Sequence, residues 1–367
     1  MDTRVWRHFD VVMMVATLAL AVYGVAMVYS ATLGTDDTSG LNPRVIRQVF
    51  YVAFGLVLLV ILATTDYHVL ANVAVAVYVA CVALLLVVPV VGRAVYGAQR
   101  AIPLGIIDLQ PSEAAKLALA IILAKFLANR QDDVRSIRVV AGSAGLALIP
   151  TALTLIQPDL GTSLVFVAIW LGMIVVAGMR WLHAILMLAA GAAAAPLAWL
   201  AMHDYMRNRI LIFLDPYQDP LGRGYNVIQA LISVGSGGLT GRGFTSGTQS
   251  QLRFLRVQYA DFIFSVLAEE LGFIGAATLL FLVAVLLFRG LRAAGLAYDA
   301  FGRLLCVGIV SGLFFQTFVN VGMNTGLLPV TGVPLPLISY GGSSALTVLA
   351  SIGVLQSVAM RHKRFQF

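Results

Sequence analysis

The sequence predicts an all-α polytopic membrane protein with about ten transmembrane helices and a large extracytoplasmic loop between the seventh and the eighth. Of its 367 residues, 60% are hydrophobic and 11% are charged, whereas a soluble domain carries about 25% charged residues. The mean hydropathy of +0.92 agrees. The net charge of +7 comes from short basic clusters between apolar stretches. Membrane proteins use Lys and Arg in this way, so the charge does not indicate nucleic-acid binding.

Ten apolar stretches are long enough, or nearly so, to cross about 30 Å of hydrocarbon. The first has roughly 20 residues, more than the 7–15 of a signal peptide's apolar region, so we expect it to remain as a helix. We expect residues 1–367 to form one domain. The predicted spans are residues 11–31, 47–65, 69–91, 112–128, 137–156, 161–178, 181–202, 262–288, 303–323 and 343–360.

The distribution of Lys and Arg predicts the orientation of these spans, because cytoplasmic loops carry an excess of both residues. An even number of spans places both termini on one side. With that side cytoplasmic, thirteen basic residues fall in the inner segments and four in the short outer loops. We therefore expect both termini to be cytoplasmic. The inner residues are Arg4, Arg7, Lys125, Arg130, Arg135, Arg138, Arg180, Arg289, Arg292, Arg303, Arg361, Lys363 and Arg364, and the outer ones are Arg44, Arg47, Arg93 and Arg100.

Three outer segments are longer than simple turns: residues 92–111, about 203–261, and 320–342. Long loops in compact proteins are usually either functional or disordered. These segments carry apolar residues between their glycines, which favours ordered, re-entrant or interfacial elements. Residues 209–214 and 225–234 are suited to short amphipathic pieces in the membrane interface. We therefore expect the active site on the extracytoplasmic face.

Three carboxylates occur within the apolar stretch RVQYADFIFSVLAEELGF, residues 256–273. Asp261 lies at the outer end of the eighth span, where it either caps the helix or acts as a general base facing water; the two roles are compatible. Glu269 and Glu270 lie about 12–13 Å further along a helix, too far to act with Asp261 at one bond. A charge near mid-membrane costs roughly 2.5–3.5 kcal/mol. We therefore expect Glu269 and Glu270 to belong to a structural polar network.

Glu113 and Lys116 in LQPSEAAKLAL lie three residues apart at the start of the fourth span, on one helix face. They form either a local ion pair or a charged pair that lines an outer cavity and binds substrate. Arg47 and Arg100 are placed on the same side of the membrane. Clustered Arg and Lys near such a cavity suit a phosphate or pyrophosphate, because the guanidinium binds as a fork and the ammonium as a point charge.

Two further regions contain candidate substrate-binding residues. Asp159 in QPDLGTS lies at a turn, where capping of the following helix is the simpler interpretation. Ser339 belongs to PVTGVPLPLISYGG, residues 329–342, whose prolines and glycines predict a shaped, rigid outer loop. Arg209, in the long loop, is a third candidate for binding pyrophosphate.

Several classes of site are not supported by the sequence. Cys81 and Cys306 both lie inside apolar stretches, which argues against a disulfide framework. The His residues show none of the spacings of a structural zinc site. No Walker loop, dinucleotide-binding fingerprint or nucleophile elbow is present.

Seven motifs, in this order along the chain, resemble the signatures of the SEDS family, which includes RodA, FtsW and SpoVE. The resemblance covers essentially the whole chain, and it is closest to the RodA branch in its minimal termini and in the form of the last motif. One departure is Tyr259-Ala260, where the family commonly has His-Thr before its essential aspartate. The motifs are GAQRAI, LQPSEAAKLAL, QPDLGTS, GGLTGRG, GTQSQLRF, ADFIFSVLAEELG and NVGMNTGLLPVTGVPLPLISYGGSS.

The resemblance implies a ten-helix peptidoglycan glycosyltransferase of the bacterial cytoplasmic membrane. Such an enzyme polymerises lipid II, an undecaprenyl-pyrophosphate-linked disaccharide-pentapeptide, for cell elongation and shape. The implied partners are a class B penicillin-binding protein, which supplies transpeptidation, and other proteins of the elongation complex. Asp261 matches the family's essential aspartate, and the remaining matches are Arg100, Glu113, Lys116 and Asp159.

The implied reaction is an inverting displacement at an anomeric carbon, with pyrophosphate leaving. Asp261 is then the base for the incoming hydroxyl. Candidates for stabilising the pyrophosphate are Arg100, Lys116, Arg47 and Arg209. No cofactor is required by the motifs, and a divalent cation at Asp261, Mg²⁺ or Mn²⁺, stays an open alternative. A lipid II flippase and a non-catalytic scaffold for the penicillin-binding protein are the other functions that the same composition allows.

Overall fold

The computed structural model describes residues 8–33, 42–91, 93–95, 98–103, 108–202, 204–222, 224–252, 254–255 and 257–361. These residues form a bundle of long helices, with three short helices inserted after the seventh. In chain order the helices are α1 (Val11–Thr32), α2 (Pro43–Thr64), α3 (His68–Val91), α4 (Pro111–Ala128), α5 (Ile137–Ile156), α6 (Leu160–Ala177), α7 (Trp181–Ala201), α8 (Asp204–Leu214), α9 (Tyr225–Ser236), α10 (Thr248–Gln251), α11 (Ile263–Leu296), α12 (Ala300–Asn324) and α13 (Gly342–Met360).

Eight of the long helices in the described part of the chain are long and apolar enough to span a membrane. The two others are α4, which carries Glu113, Lys116 and Lys125, and α7, whose apolar part Trp181–Ala193 is shorter. Each of the ten predicted stretches falls in one of these ten long helices. The chain is therefore a multi-pass membrane protein, and the predicted all-α class is confirmed.

Helices α12 and α13 form the centre of the bundle, since most of their residues are buried. The most extensive packing between two helices is that of α13 against α2, and α12 packs on α4, α6 and α11. Glycines allow this close approach: Gly353 faces the backbone of Leu59, and Gly55 faces the side chain of Leu349. Without a hydrophobic driving force between helices in lipid, such close van der Waals packing holds a bundle together. The loop between α12 and α13 therefore joins the two central helices of the bundle.

The predicted outer segment 92–111 contains ordered backbone. Its described residues form three short antiparallel strands, β1 (Arg93–Val95), β2 (Ala98–Pro103) and β3 (Asp108–Leu109). The hydroxyl of Ser343, at the start of α13, donates to the carbonyl of Asp108 at 2.8 Å and accepts from the amide of Gln110 at 2.9 Å. The strands are thus fixed to the same end of the bundle as the loop between α12 and α13.

Helix α11 is broken at Gly272, whose φ of +62° and ψ of −161° are not helical. A glycine-rich segment, residues 237–243, fills the break. Its amides at Arg242 and Gly243 donate to the carbonyls of Glu269 and Glu270, each at 3.0 Å, and its carbonyls accept from two amides beyond the break. These bonds replace those that the broken helix lacks, as a polar backbone inside a membrane bundle requires.

The close approach at this break leaves no room for a side chain. A Cβ on Gly241, where φ is +80°, would overlap the carbonyl of Glu270. We predict that Gly241→Ala lowers the unfolding temperature of the detergent-purified protein. The left-handed backbone alone costs about 1–2 kcal/mol for a non-glycine residue, and the overlap adds to it.

Gly235→Ala is the matched control. Gly235 lies in α9, and a Cβ there would meet nothing within 4 Å, so the substitution should leave stability unchanged or raise it by about 0.5–1 kcal/mol. Equal unfolding temperatures for Gly241→Ala and Gly235→Ala would contradict the packing described for the break.

Candidate active site

A cavity of about 830 Å³ lies where the segments before α4, α6 and α11 meet the loop between α12 and α13. This volume is within the range of ligand-binding clefts, about 300–1,000 Å³. Its lining combines charged and amide side chains with apolar ones. The polar residues include Asp108, Gln110, Asp159, Asn208, Arg209, Asn226, Asp261, Ser343 and Ser344, and the apolar ones include Ile212, Phe213, Val227, Leu328 and Val330.

Asp261 lines this cavity directly before α11. The expectation that its side chain caps the helix is wrong: the N-cap residue is Phe262, and no side chain makes a capping hydrogen bond. The physical reason is that α11 starts later than the apolar stretch suggested. The Asp261 side chain is half-buried and faces the loop after α12, since a Cβ placed on Gly332 would lie 3.6 Å from Asp261 Oδ2.

Asp159 also lines the cavity, and it caps α6 as predicted. Its carboxylate accepts from the Thr162 amide at 3.2 Å and from the Thr162 hydroxyl at 2.9 Å. The residue is buried. A capping carboxylate at the cavity wall is held in one orientation, so the cavity contains a second fixed acid besides Asp261.

Helix α8 forms another wall of the cavity. Both predicted amphipathic pieces of the long loop are helices, residues 209–214 within α8 and residues 225–234 within α9. Asn208 and Arg209 line the cavity, and so do Ile212 and Phe213, one turn further along the same face. Among the described lining residues, Arg209 is the only Lys or Arg. Helix α8 therefore presents a polar region and an apolar region of the cavity side by side.

Glu113 and Lys116 form a direct ion pair, with 2.7 Å between Glu113 Oε2 and Lys116 Nζ. Both side chains are buried, and neither is among the residues that line the large cavity. They border a separate space of about 20 Å³ between α4, α12 and α13. The local ion pair is thus the arrangement observed, because α4 turns this face toward the bundle centre. Substrate binding by the pair stays a prediction.

Of the three other predicted site residues, Arg47 and Ser339 are not among the described residues that line the cavity. Arg47 is exposed on α2. Arg100 lies in β2, and its side chain lies outside the described part of the structure. Ser339 is buried, and its hydroxyl donates to the Ala260 carbonyl at 2.7 Å. Ser339 therefore touches the backbone next to Asp261, and its contact with a substrate stays a prediction.

Glu269 and Glu270 are fully buried and accept hydrogen bonds from the segment that follows the glycine-rich insert. Glu269 accepts from the amides of Gln249 and Ser250, at 2.8 Å and 3.2 Å. Glu270 accepts from the hydroxyl of Ser30 on α1 at 2.6 Å and from the amide of Thr245 at 3.2 Å. Charge-assisted bonds of this kind offset the cost of burying a carboxylate. The two acids connect α1 and α11 with α10 and the segment before it.

Asn320 and Asn324 are functional candidates that sequence reasoning did not single out. Both are fully buried on α12, and both side-chain amides donate to the carbonyl of Asp261. Their spacing of four residues places them on one helix face. Polar side chains in a transmembrane segment are themselves a signal of function, and the motif containing this pair was noted only for its resemblance to the family.

The described residues contain no group of three or more His, Cys, Asp or Glu side chains that is placed to hold a metal ion. Asp108, Asp159 and Asp261 share the cavity lining without forming such a cluster. A divalent cation at Asp261 stays a prediction.

A family model of cell cycle proteins, named for FtsW, RodA and SpoVE, matches residues 11–364. This chain belongs to the FtsW/RodA/SpoVE family. It is 42% identical over 357 residues to the Escherichia coli protein named peptidoglycan glycosyltransferase MrdB. The aligned residues make up 97% of this chain and 95% of the relative. It is 38% identical over 363 residues to stage V sporulation protein E of Bacillus subtilis, covering 97% and 98%.

Solved structures of the FtsW/RodA/SpoVE family share this fold. A chain of a peptidoglycan synthase complex that polymerises and crosslinks matches with a TM-score of 0.82 at 35% identity, covering 97% of this chain and 99% of that one. The rod shape determining protein RodA of Thermus thermophilus matches with a TM-score of 0.72 at 31% identity, covering 97% and 98%. The ten-helix arrangement is thus the fold of its relatives.

The buried ion pair on α4 gives a prediction that separates structure from substrate binding. Lys116→Met leaves the Glu113 carboxylate buried without its cation, which should cost about 3–5 kcal/mol. The double variant Glu113→Gln/Lys116→Met removes both charges and should regain much of the unfolding temperature measured in detergent. Lys125→Met, on the same helix and only partly buried, is the control and should change little.

Polymerising activity of the double variant then decides the role of the pair. A stable and active double variant means that the charges serve folding alone. If the double variant is stable but inactive, the charges act on the substrate, as the sequence predicted.

Proposed function

We propose that this protein is a peptidoglycan glycosyltransferase that polymerises lipid II into glycan strands for cell elongation and shape. The observation that best supports this proposal is that Asp261 lines a large amphipathic cavity in a member of the FtsW/RodA/SpoVE family. The proposal is supported by relatives that are named peptidoglycan glycosyltransferases and that align with this chain over almost their whole length.

The mixed lining of the cavity suits a lipid-linked sugar. The polar groups of the lining are suited to hydrogen bonding with a disaccharide and a pyrophosphate. They include Asp159, Arg209 and Asn226. Ile212 and Phe213 on α8 suit the first isoprene units of the lipid. A donor bound in this way keeps its anomeric carbon in the polar region of the cavity, where Asp261 is placed.

The proposed chemistry is displacement at the anomeric carbon of the donor by the 4-hydroxyl of the acceptor sugar. Asp261 accepts the hydroxyl proton as the bond forms, and the pyrophosphate leaves. Arg209 stabilises the charge on the leaving group, and Arg47, Arg100 and Lys116 are further candidates. A single displacement inverts the anomeric centre, which converts an α-linked donor into a β-linked strand. A divalent cation at Asp261, Mg²⁺ or Mn²⁺, would add positive charge at the same place.

The proposed orientation, with both termini cytoplasmic, is supported by the distribution of basic residues. With both termini cytoplasmic, the cavity opens on the extracytoplasmic side of the bacterial inner membrane, because the segments before α4 and α11 lie on that side. Glycan strands are then made on the side of the membrane where the cell wall is assembled.

A class B penicillin-binding protein is the proposed partner, together with other proteins of the elongation complex. The similarity to a chain of a synthase complex that polymerises and crosslinks supports this pairing. One complex would couple strand synthesis by this chain to transpeptidation by its partner.

The first functional prediction concerns Asp261. Asp261→Asn keeps the size of the side chain and removes the base, so polymerisation of lipid II by the purified complex should fall about 10²–10⁴-fold. Asp215→Asn is the control, because Asp215 is exposed and does not line the cavity; its activity should stay within twofold. Glycan strands are measured by gel separation of labelled product.

The outcome also addresses the two other functions. Undiminished polymerisation by Asp261→Asn overturns the catalytic assignment. Transport of lipid II across liposomes that persists in Asp261→Asn supports a flippase activity beside polymerisation. If the wild-type complex makes no strands at all while binding its partner normally, the scaffold function is favoured.

The second functional prediction concerns Arg209. Arg209→Lys keeps the positive charge but loses the two-pronged geometry of the guanidinium. We expect kcat/KM for lipid II to fall about tenfold, the value of one charge-assisted hydrogen bond of about 1.5 kcal/mol. Arg207→Lys, on the same helix but outside the cavity lining, should have no such effect. Equal losses in both variants would mean that α8 needs arginine for its own packing.

A further inference from the structure

The backbone just before α11 is held by other parts of the protein. Residues 259–261 form turns, so their carbonyls lack the partners that a helix would supply. Each of the three carbonyls instead accepts a hydrogen bond from a distant residue. The donors are the Tyr340 amide to Tyr259 at 2.9 Å, the Ser339 hydroxyl to Ala260 at 2.7 Å, and the Asn320 and Asn324 amides to Asp261 at 3.3 Å and 3.1 Å.

The two asparagines form the part of this arrangement that lies closest to Asp261. Asn324 Nδ2 also donates to the Asn320 carbonyl at 2.8 Å, and Asn324 Oδ1 accepts from the Ser265 hydroxyl at 2.6 Å. The two carbonyls fix which way the amide faces, because a carbonyl only accepts, and the Ser265 hydroxyl then donates to the amide oxygen and holds it in place. The Asn324 amide therefore points its nitrogen at the carbonyl of Asp261.

Asn320 connects the same point to the loop between α12 and α13. Its Nδ2 donates to the Val333 carbonyl at 2.8 Å as well as to the Asp261 carbonyl. Val333 follows Gly332, which lies beside the Asp261 carboxylate in the cavity lining. One buried amide thus holds the backbone that carries Asp261 and the backbone that Asp261 faces.

The consequence for Asp261 is geometric. Once its backbone is fixed, only two side-chain torsions remain to place the carboxylate. A general base must lie within hydrogen-bond reach of the proton that it removes, and a misplacement of about 1 Å can cost 10²-fold in rate. The donors are fully buried and come from α12, the centre of the bundle, so they are a rigid reference for that position.

We propose that Asn320 and Asn324 are positioning residues that set the Asp261 carboxylate against Gly332 in the cavity wall. Neither asparagine is among the residues that line the cavity, so they act through Asp261 and do not touch the substrate. This inference rests on the proposed function, in which Asp261 is the base.

The test compares steady-state polymerisation of lipid II by the purified complex with its penicillin-binding partner. Asn324→Leu has a similar shape and removes the donor to Asp261. We expect kcat to fall about 10–100-fold, with KM for lipid II within twofold of the wild-type value, because the cavity lining is unchanged. Thr317→Val is the matched control: Thr317 is buried on α12, and its hydroxyl bonds to its own helix at Leu313. Its kcat should stay within twofold.

Ser265→Ala provides a second variant in case Asn324→Leu does not fold. It removes the hydroxyl that holds the Asn324 amide in place, so kcat should fall about 3–10-fold with KM again unchanged. The double variant Ser265→Ala/Asn324→Leu should be no slower than Asn324→Leu alone, because both changes act through one amide.

The possible results are distinguishable. Wild-type kcat in folded Asn324→Leu or in Ser265→Ala overturns the inference, and so does a rise in KM with kcat unchanged. If Asp261→Asn itself polymerises normally, the proposed function has failed, and with it the inference. If Asp261→Asn is inactive while Asn324→Leu and Ser265→Ala behave as the wild type, only the positioning role is rejected.

Discussion

The need to satisfy polar groups away from water is the constraint on which the region around α11 depends. Inside a membrane bundle an unpaired backbone group costs several kcal/mol, and a carboxylate costs more. Both kinds of group occur at the break at Gly272, and residues 237–250, together with Ser30 on α1, satisfy them. The backbone of this segment pairs with the broken helix, and its amides and hydroxyls bind Glu269 and Glu270. The break is therefore a connection between the helix and the long loop.

This connection explains how a long loop becomes part of a cavity wall. Because residues 237–250 are fixed to α11, the helices before them in the loop are held over the bundle, and α8 contributes Arg209 and Phe213 to the cavity. On the other side, α12 holds the carbonyl of Asp261 and the loop that faces it. The cavity is thus bordered by segments that are each fixed to the bundle, which suits the precise placement that proton transfer requires.

Much of the site could be predicted from residue type and position along the chain. Asp261, Asp159 and Arg209 all line the cavity, as their places in the outer segments suggested. Sequence reasoning was less successful where helix rotation decides. Glu113 and Lys116 share one face of α4, but the sequence does not say whether that face meets the cavity or the bundle centre. The capping role of Asp261 failed for a related reason, since an apolar stretch does not mark where a helix begins.

The sequence by itself determined that this is a multi-pass α-helical membrane protein, because hydropathy and span length can be read from the residues alone. Its motifs indicated the FtsW/RodA/SpoVE family, and the family model shows it. The sequence also predicted that the long segments between helices carry the site, and described residues of those segments line the cavity. Only the tertiary structure decided which polar residues meet. Asn320 and Asp261 are far apart in the chain, and so are Ser30 and Glu270. Their contacts depend on how each helix is rotated and on how deep each loop inserts, and packing between helices sets both.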